Sequence, residues 1–243
     1  MIEYAMKLGY IERKPNPCQY VDTPQRVQKE VEVYTAEEIK KILQTMEKED
    51  DIMLYFAVSM AAACELRRSE ISGLKLQDFD FKENQLKISR ARVYADEGDV
   101  DKETKTRSGR RSIVIPAQIT EIVKQIKRYK MSNRVKYGHD YIETDYLYVA
   151  ANGAPLSVSS ISGHWARWLE KHTEFKHVSF HGLRHTYCSL MLSYGIDPRA
   201  LADQMGHSNP AISLNIYAHS YTESKIGYVN KLNEALYSAS ANE

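Results

Sequence analysis

The sequence predicts a mostly α domain with a small antiparallel β-sheet, an α+β class, and three observations carry that expectation. Long stretches place apolar residues at helical spacing behind N-terminal capping signals. Two short stretches alternate and are rich in β-branched or aromatic residues. No internal repeat or low-complexity tract runs through the chain. Residues 1–30 read as a short helical piece and then a linker, because Pro15, Pro17 and Pro24 bias the residues before them away from helix. Thr35-Ala36-Glu37-Glu38 is a capping box that opens a helix to about Lys48. Ile52 to Ala63 is apolar enough to be a buried helix, and Arg67 lies at the turn into a short one, Ser69 to Gly73. Leu86 to Tyr94 and Arg111 to Ile115 predict strands, with Ala95 to Gly109 as a long polar loop between them. Helices follow at about 117–137, 157–172, 182–195, 198–206, 210–219 and 222–238, with Asp145 to Ala150 as an added strand. Pro198 behind Asp197 and Pro210 behind Asn209 are helix-start signals.

A length of 243 residues suits one large domain, or one domain with an appendage. The shares of hydrophobic (43%) and charged (27%) residues are those of an ordinary globular protein. A formal net charge of +1 does not by itself point to nucleic acid. Positive charge is local instead: Lys102 to Arg111 carries five basic residues against one acid, and Lys124 to Lys136 carries six with none. The second stretch reads as a solvated helix face. Cys18, Cys64 and Cys188 are odd in number and widely spaced, so no disulfide framework is implied, and the last two fall in apolar helical patterns as buried thiols. No segment reaches the roughly 18 consecutive apolar residues of a membrane span. The start, Met1-Ile2-Glu3-Tyr4, lacks the pattern of a signal peptide, so a cytoplasmic protein without membrane contact is expected.

The chemistry concentrates near the C-terminus. His181-Gly182-Leu183-Arg184-His185 is followed by Gly206-His207 and then Tyr217, and Arg67 and Lys105 lie upstream. Two arginines, a lysine, histidines and a tyrosine suit one task, holding a phosphodiester while a phenol attacks it. The guanidinium fork pairs with phosphate oxygens and keeps its charge. Histidine exchanges protons near neutrality, and a phenol whose proton is drawn off becomes a covalent nucleophile. Any single tyrosine among the 17 has packing or surface as its ordinary role; Tyr187 and Tyr221 are rivals to Tyr217. Arg67 fits an R-x-x-E register with Glu70, whereas Arg68 does not; a structural ion pair is the plainer role for Arg67, with Glu70, and for Arg184. Lys102 competes with Lys105. His181 and His185 share a helix face at zinc-binding spacing, but Gly182 stands where an H-E-x-x-H site has its glutamate, so no metal is expected. His164, His172, His177 and His219 carry no such context.

The order and spacing of these residues resemble the tyrosine recombinase, or phage integrase, family, especially integrases of phages and conjugative transposons of Gram-positive bacteria. Glu65-Leu66-Arg67-Arg68-Ser69-Glu70 is similar to that family's T-G-L-R-x-G-E box, and Thr104 to Arg111 to the loop carrying its catalytic lysine. His181 to His185 reproduces H-x-L-R-H, Met205-Gly206-His207-Ser208 is similar to L-G-H-S, and Tyr217-Ala218-His219 matches Y-x-H. Cys64-Glu65 replaces the usual Thr-Gly, Ser69 replaces Gly and Met205 replaces Leu; the Glu65 change bears on the local turn more than on the chemistry.

The resemblance implies a catalytic domain over 31–243 and, over 1–30, the end of a core-binding domain and its linker, the chain then beginning inside a longer parent. It implies a site-specific recombinase that cleaves and rejoins DNA through a 3′-phosphotyrosyl link. Tyr217 would be the nucleophile and Arg67 and Arg184 the phosphate clamp. Lys105 would be the general acid, with His181 and His207 on the same phosphate and His181 the better proton acceptor. Glu70 would orient, and His185 support. No cofactor or metal is needed, because the covalent bond conserves the phosphodiester free energy. The implied partners are double-stranded attachment sites, a tetramer on two such sites that associates weakly without DNA, and an excisionase or host bending protein. Type IB topoisomerase-like strand relaxation and a catalytically silent DNA-binding regulator are the alternatives, separable by a supercoiled-plasmid assay and by covalent trapping.

Overall fold

The computed structural model describes residues 2–12, 21, 32–95, 98–103 and 110–205, and of Glu103 and residues 202–205 the backbone alone. The chain divides into two units, Met1–Glu30 and Val31–Glu243. In the first, the helical piece is α1, Ile2–Lys7, with no buried residue. In the second, Thr35 Oγ1 accepts from the Glu38 N–H at 3.2 Å while Glu38 Oε2 accepts from the Thr35 N–H at 2.7 Å. This reciprocal cap starts α2, Ala36–Glu47, whose stripe of Ile39, Ile42 and Met46 enters the core. α3, Ile52–Cys64, is apolar on every side and so has no solvent face to offer; 11 of its 13 residues are buried. It packs against α2, against the short helix that follows it and against α5 (Ala117–Tyr137), α6 (Val158–Lys171) and α7 (Phe180–Ser193). α4, Arg68–Ser72, follows α3 after a three-residue turn. α8, Pro198–Met205, sets Leu201 against Cys188 and Leu192 of α7.

The strand region departs from expectation in an informative way. The run 86–94 is not one strand but two, β2 (Gln85–Ile88) and β3 (Arg90–Ala95), divided at Ser89. β2 lies between β1 (Phe79–Asp80) and β5 (Arg111–Val114), antiparallel to both. β3 pairs instead with β4, Gly98–Glu103, in a separate hairpin. The division falls there because β5 runs out of partners at Ile88↔Arg111, and the next pair, Arg90↔Glu103, belongs to the other sheet. β4 occupies part of the expected loop. Its sequence, Gly-Asp-Val-Asp-Lys-Glu, has little strand propensity. Tertiary contacts supply what propensity lacks: Asp99 Oδ2 accepts from the Val158 N–H at 2.7 Å at the start of α6, and Asp101 lies 3.8 Å from Lys75 Nζ. Lys75 and Arg92 each stand 4.7 Å from the Tyr146 ring centroid, a double cation–π contact that ties the hairpin to the body.

Asp145 to Ala150 makes no strand. Lys75↔Tyr146 and Val149↔Pro155 are isolated bridges, and Leu147, Tyr148 and Val149 thread through the core without a ladder. α5 matches the expected 117–137, with its buried positions confined to Ile119–Ile126. The basic stretch 124–136 is mostly a solvated face, as expected, with Arg134 paired to Glu143 at 2.6 Å, but Lys130 is half-buried and donates to the Thr144 and Tyr146 carbonyls at 2.7 and 2.8 Å. Cys64 and Cys188 are buried, as expected; Cys18 lies outside the described residues. Among the described residues no helix is long and apolar enough to cross a membrane.

Candidate active site

α3 ends against its own geometry. The N–H groups of Glu65 and Leu66 both turn back to the Met60 carbonyl, which requires Glu65 to take the left-handed conformation, φ 64°. An L side chain there clashes with its own backbone, which is why glycine is the usual occupant. The sequence concern about this turn is thus resolved: the turn forms, with a glutamate in the glycine place. It delivers Arg67 to the N-cap of α4.

Glu70, one turn into α4, is the hub of the charges. Its carboxylate accepts from the Arg67 N–H at 2.8 Å and from Arg67 Nη1 at 3.1 Å, the R-x-x-E pair anticipated from spacing. It also receives both Nη groups of Arg111, at 2.8 and 3.1 Å, in a fork from β5. Burial alone would raise the Glu70 carboxyl, but the hydrogen bonds and charge of Arg111, with help from Arg67, hold it below the usual carboxylate range. The Arg67 side chain is 37% exposed and that of Glu70 4%, so the pair has one face open to solvent. Arg68, its neighbour, points elsewhere and donates to Ser162 Oγ at 3.2 Å.

Glu70→Gln removes the only carboxylate that Arg111 contacts with hydrogen bonds among the described residues, and leaves that guanidinium buried. It is expected to cost about 3–5 kcal/mol of stability at neutral pH. Because the folded pKa is depressed, this stabilisation is present above the unfolded carboxyl value of 4.5 and is lost as pH falls through the folded one. Urea unfolding of variant and wild type should therefore converge in acid below that value.

α7 supplies the opposite wall. It begins at Phe180, earlier than the expected 182, because Ser179 caps it and its Oγ accepts from the Gly182 N–H at 3.2 Å. His181 consequently sits inside the first turn. A Cβ on Gly182 would come within 2.3 Å of Val178 Cγ1, so the glycine of H-x-L-R-H permits the close approach of the incoming loop. Thr186, one turn on, donates to the Gly182 carbonyl at 2.9 Å and accepts from the Tyr34 N–H at 3.1 Å, tying α7 to the entry of α2.

Arg184 is buried at 3% side-chain exposure. Its Nη1 donates to the Glu65 carbonyl at 2.7 Å, and its Nη2 lies 2.8 Å from Glu65 Oε1. That second contact is an ion pair and not a directed hydrogen bond, since neither Glu65 carboxylate oxygen accepts one. Burial pushes the Glu65 carboxyl up to about 7 despite the pull of Arg184 and Arg111. Partial burial and the charges of Arg184, Arg67 and Arg68 hold His181 below the ordinary 6.5. His181 is also exposed to solvent, which weakens both the effect of burial and that of the arginine charges. The imidazole is then neutral at neutral pH and able to accept a proton. The ring of His185 meets it edge-on, centroids 4.6 Å apart.

Three of the six sequence-predicted residues, Arg67, His181 and Arg184, are thus brought into one charged cluster. Lys105, His207 and Tyr217 lie outside the described residues, as do Tyr221, His219 and the expected helices 210–219 and 222–238. Lys102, the competitor of Lys105, is an exposed strand residue opposite Ala91. His164 faces the Tyr148 hydroxyl at 3.2 Å, and His172 pairs with Glu49 at 2.9 Å, away from the cluster. Two members escaped the sequence reading. Arg111 reaches Glu70 across 41 positions with no local spacing to signal it, and Glu65 registered only as a departure at a turn.

Known proteins resemble the chain over this same span. The phage integrase family model matches residues 32–224. A XerC-like tyrosine recombinase of Caldanaerobacter subterraneus subsp. tengcongensis is 25% identical over 247 residues, 95% of this chain and 62% of that protein. The transposase from transposon Tn916 of Enterococcus faecalis is 29% identical over 175 residues, 70% of this chain and 43% of that protein. The chain therefore spans about 62% and 43% of the lengths of these two relatives. Among solved structures, the Tn1549 transposon integrase in complex with transposon right end DNA superposes with a TM-score of 0.71 at 22% identity. That match covers 95% of this chain and 75% of that one, and it shows a shared fold. With the family model covering the cluster from the Arg67 turn to the Arg184 helix and beyond, the chain belongs to the phage integrase family of tyrosine recombinases.

Proposed function

We propose that residues 31–243 are the catalytic domain of a site-specific DNA recombinase, and that residues 1–30 are the end of a core-binding domain and its linker. The observation that carries this reading is the convergence of Arg67 and Arg184 beside a proton-accepting His181, with the charges of both arginines acting on the imidazole and that of Arg67 acting on Arg184. An anion with several oxygens suits such a cluster, and the scissile phosphate of double-stranded DNA is the anion proposed. The DNA-bound integrases among the structural neighbours support that partner.

In the proposed step the Tyr217 oxygen attacks phosphorus, the bond to the 5′-oxygen breaks, and a 3′-phosphotyrosyl bond forms. The phenolic proton passes to His181, and Lys105 donates a proton to the departing 5′-oxygen. Arg67, Arg184 and His207 stabilise charge on the non-bridging oxygens. A partner strand's 5′-hydroxyl reverses these transfers. Four protomers on two attachment sites carry out exchange, with the segment containing Ile226, Val229, Leu232 and Leu236 as the swapped element, in the cytoplasm and with an excisionase or bending protein as accessory.

The attachment sequence is first recovered by selecting tight-binding duplexes from a random-sequence pool. A second duplex then carries sulfur at the bridging 5′ position, a leaving group that needs no proton. Lys105→Ala is expected to cleave ordinary DNA about 10²–10⁴-fold more slowly and to regain most of that rate on the sulfur duplex. Arg67→Ala is slow on both. Rescue of Lys102→Ala in place of Lys105→Ala moves the acid three residues upstream, and rescue of neither removes the lysine from the mechanism.

A further inference from the structure

We propose that Glu65 is a further residue of this site, a resident anion that shares Arg184 with the docking phosphate and takes up a proton as that phosphate arrives. This rests on the reading of Arg67 and Arg184 as the phosphate clamp.

Three features point to it. Glu65 holds a left-handed backbone conformation that glycine adopts freely, so its side chain is retained against a steric cost. That side chain is enclosed, at 1% exposure, and lies 2.8 Å from Arg184 Nη2, the guanidinium that the clamp would turn toward DNA. Finally, both of its oxygens are buried without a hydrogen bond, which disfavours the ionised form more than a buried ion pair alone would.

The groups facing Glu65 decide how it responds. Arg184 approaches from α7, Arg111 from β5, and Arg67 and Glu70 from α4 and its cap; the Cys64 thiol precedes it on α3. Both Nη groups of Arg111 are engaged with Glu70, which therefore stays ionised, whereas Glu65 receives no such fork. Of the two carboxylates in the cluster, Glu65 is the one that yields. A phosphodiester brought to Arg184 adds a negative charge beside the Glu65 carboxylate and raises its proton affinity. Burial has already lifted that affinity to the neutral range. One solvent proton then neutralises Glu65, and the guanidinium charge passes from the internal anion to the external one. A glycine in this turn would leave Arg184 without that counter-ion and binding without that proton.

The test measures affinity of the whole chain for the recovered attachment duplex between about pH 6 and pH 8 at fixed salt, and proton uptake by titration calorimetry in two buffers of different ionisation heat. Wild type is expected to bind more tightly as pH falls, approaching about tenfold per pH unit where Glu65 is ionised in the free protein. Glu65→Gln, which keeps the shape, and Glu65→Gly, which fits the turn, should each lose that slope and take up about one proton fewer. If both variants keep the wild-type slope, the proton belongs to another group, His181 foremost, and the proposal falls; a flat wild-type profile also overturns it. Arg184→Ala in the same series separates the two readings. If it binds and cleaves like wild type, the clamp itself is wrong and Glu65 falls with it. If it is impaired while the Glu65 variants keep the slope, only the Glu65 proposal is lost.

Discussion

Tyr217→Phe is expected to give no covalent protein–DNA adduct on a suicide duplex nicked beside the cleavage site, while the wild type accumulates one. The nick lets the short 5′-terminated fragment diffuse away, so the phosphotyrosyl link cannot be reversed and its amount reports the attack directly. Phenylalanine removes one oxygen and leaves the ring, so DNA affinity should be unchanged and the loss confined to chemistry. The residue is singled out by its place ten positions after His207 and by the Y-x-H match. Denaturing electrophoresis of both proteins on the same duplex decides it. Undiminished adduct with Tyr217→Phe would pass the role to another tyrosine, and Tyr187→Phe and Tyr221→Phe in parallel would show which.

Arg67→Lys and Arg184→Lys should each slow cleavage by about 10²–10³-fold, the usual effect of losing one preorganised donor to a developing oxyanion. Lysine keeps the charge but not the planar fork. The two sites differ in what else they lose. Arg67 occupies the N-cap position of α4 with a partly exposed side chain paired to Glu70, and lysine there can still reach Glu70, so its stability should change by less than about 1 kcal/mol. Arg184 is buried and contacts both the carbonyl and the carboxylate of Glu65, two partners that one ammonium does not match in the same geometry. Its variant should melt lower as well as cleave slowly. Single-turnover rates at saturating duplex, with a melting curve for each protein, separate these effects. Wild-type cleavage by both variants would remove the clamp from the mechanism.

How much of this was readable from the chain follows from the range over which each signal acts. The Thr35 capping box, the apolar run of α3 and the span of α5 were readable because the deciding contacts lie within one or two helical turns. The Arg67–Glu70 pair was readable for the same reason, three residues being one face of a helix. β4 was not, because its pairing with β3 is supported by Asp99 and Asp101 acting on α6, Lys75 and Tyr146, all remote in sequence. Arg111 was hidden likewise. Glu65 was visible as an anomaly but not as a partner of Arg184, 119 positions away. Local rules found Arg67 with its counter-ion Glu70; the partners that Arg111 and Arg184 find in Glu70 and Glu65 lay beyond their range.

The all-apolar character of α3 also bears on the order in which the chain can be made. During synthesis α3 leaves the ribosome well before α6 and α7, which cover two of its sides and begin more than 90 residues after it ends. Until they arrive, the nascent chain carries a helix with no solvent-compatible face, a target for chaperones and for aggregation. Folding of this domain therefore waits on long-range closure rather than on local helix formation. A message or fragment that stops short of α7 yields a sticky intermediate, not a smaller stable domain.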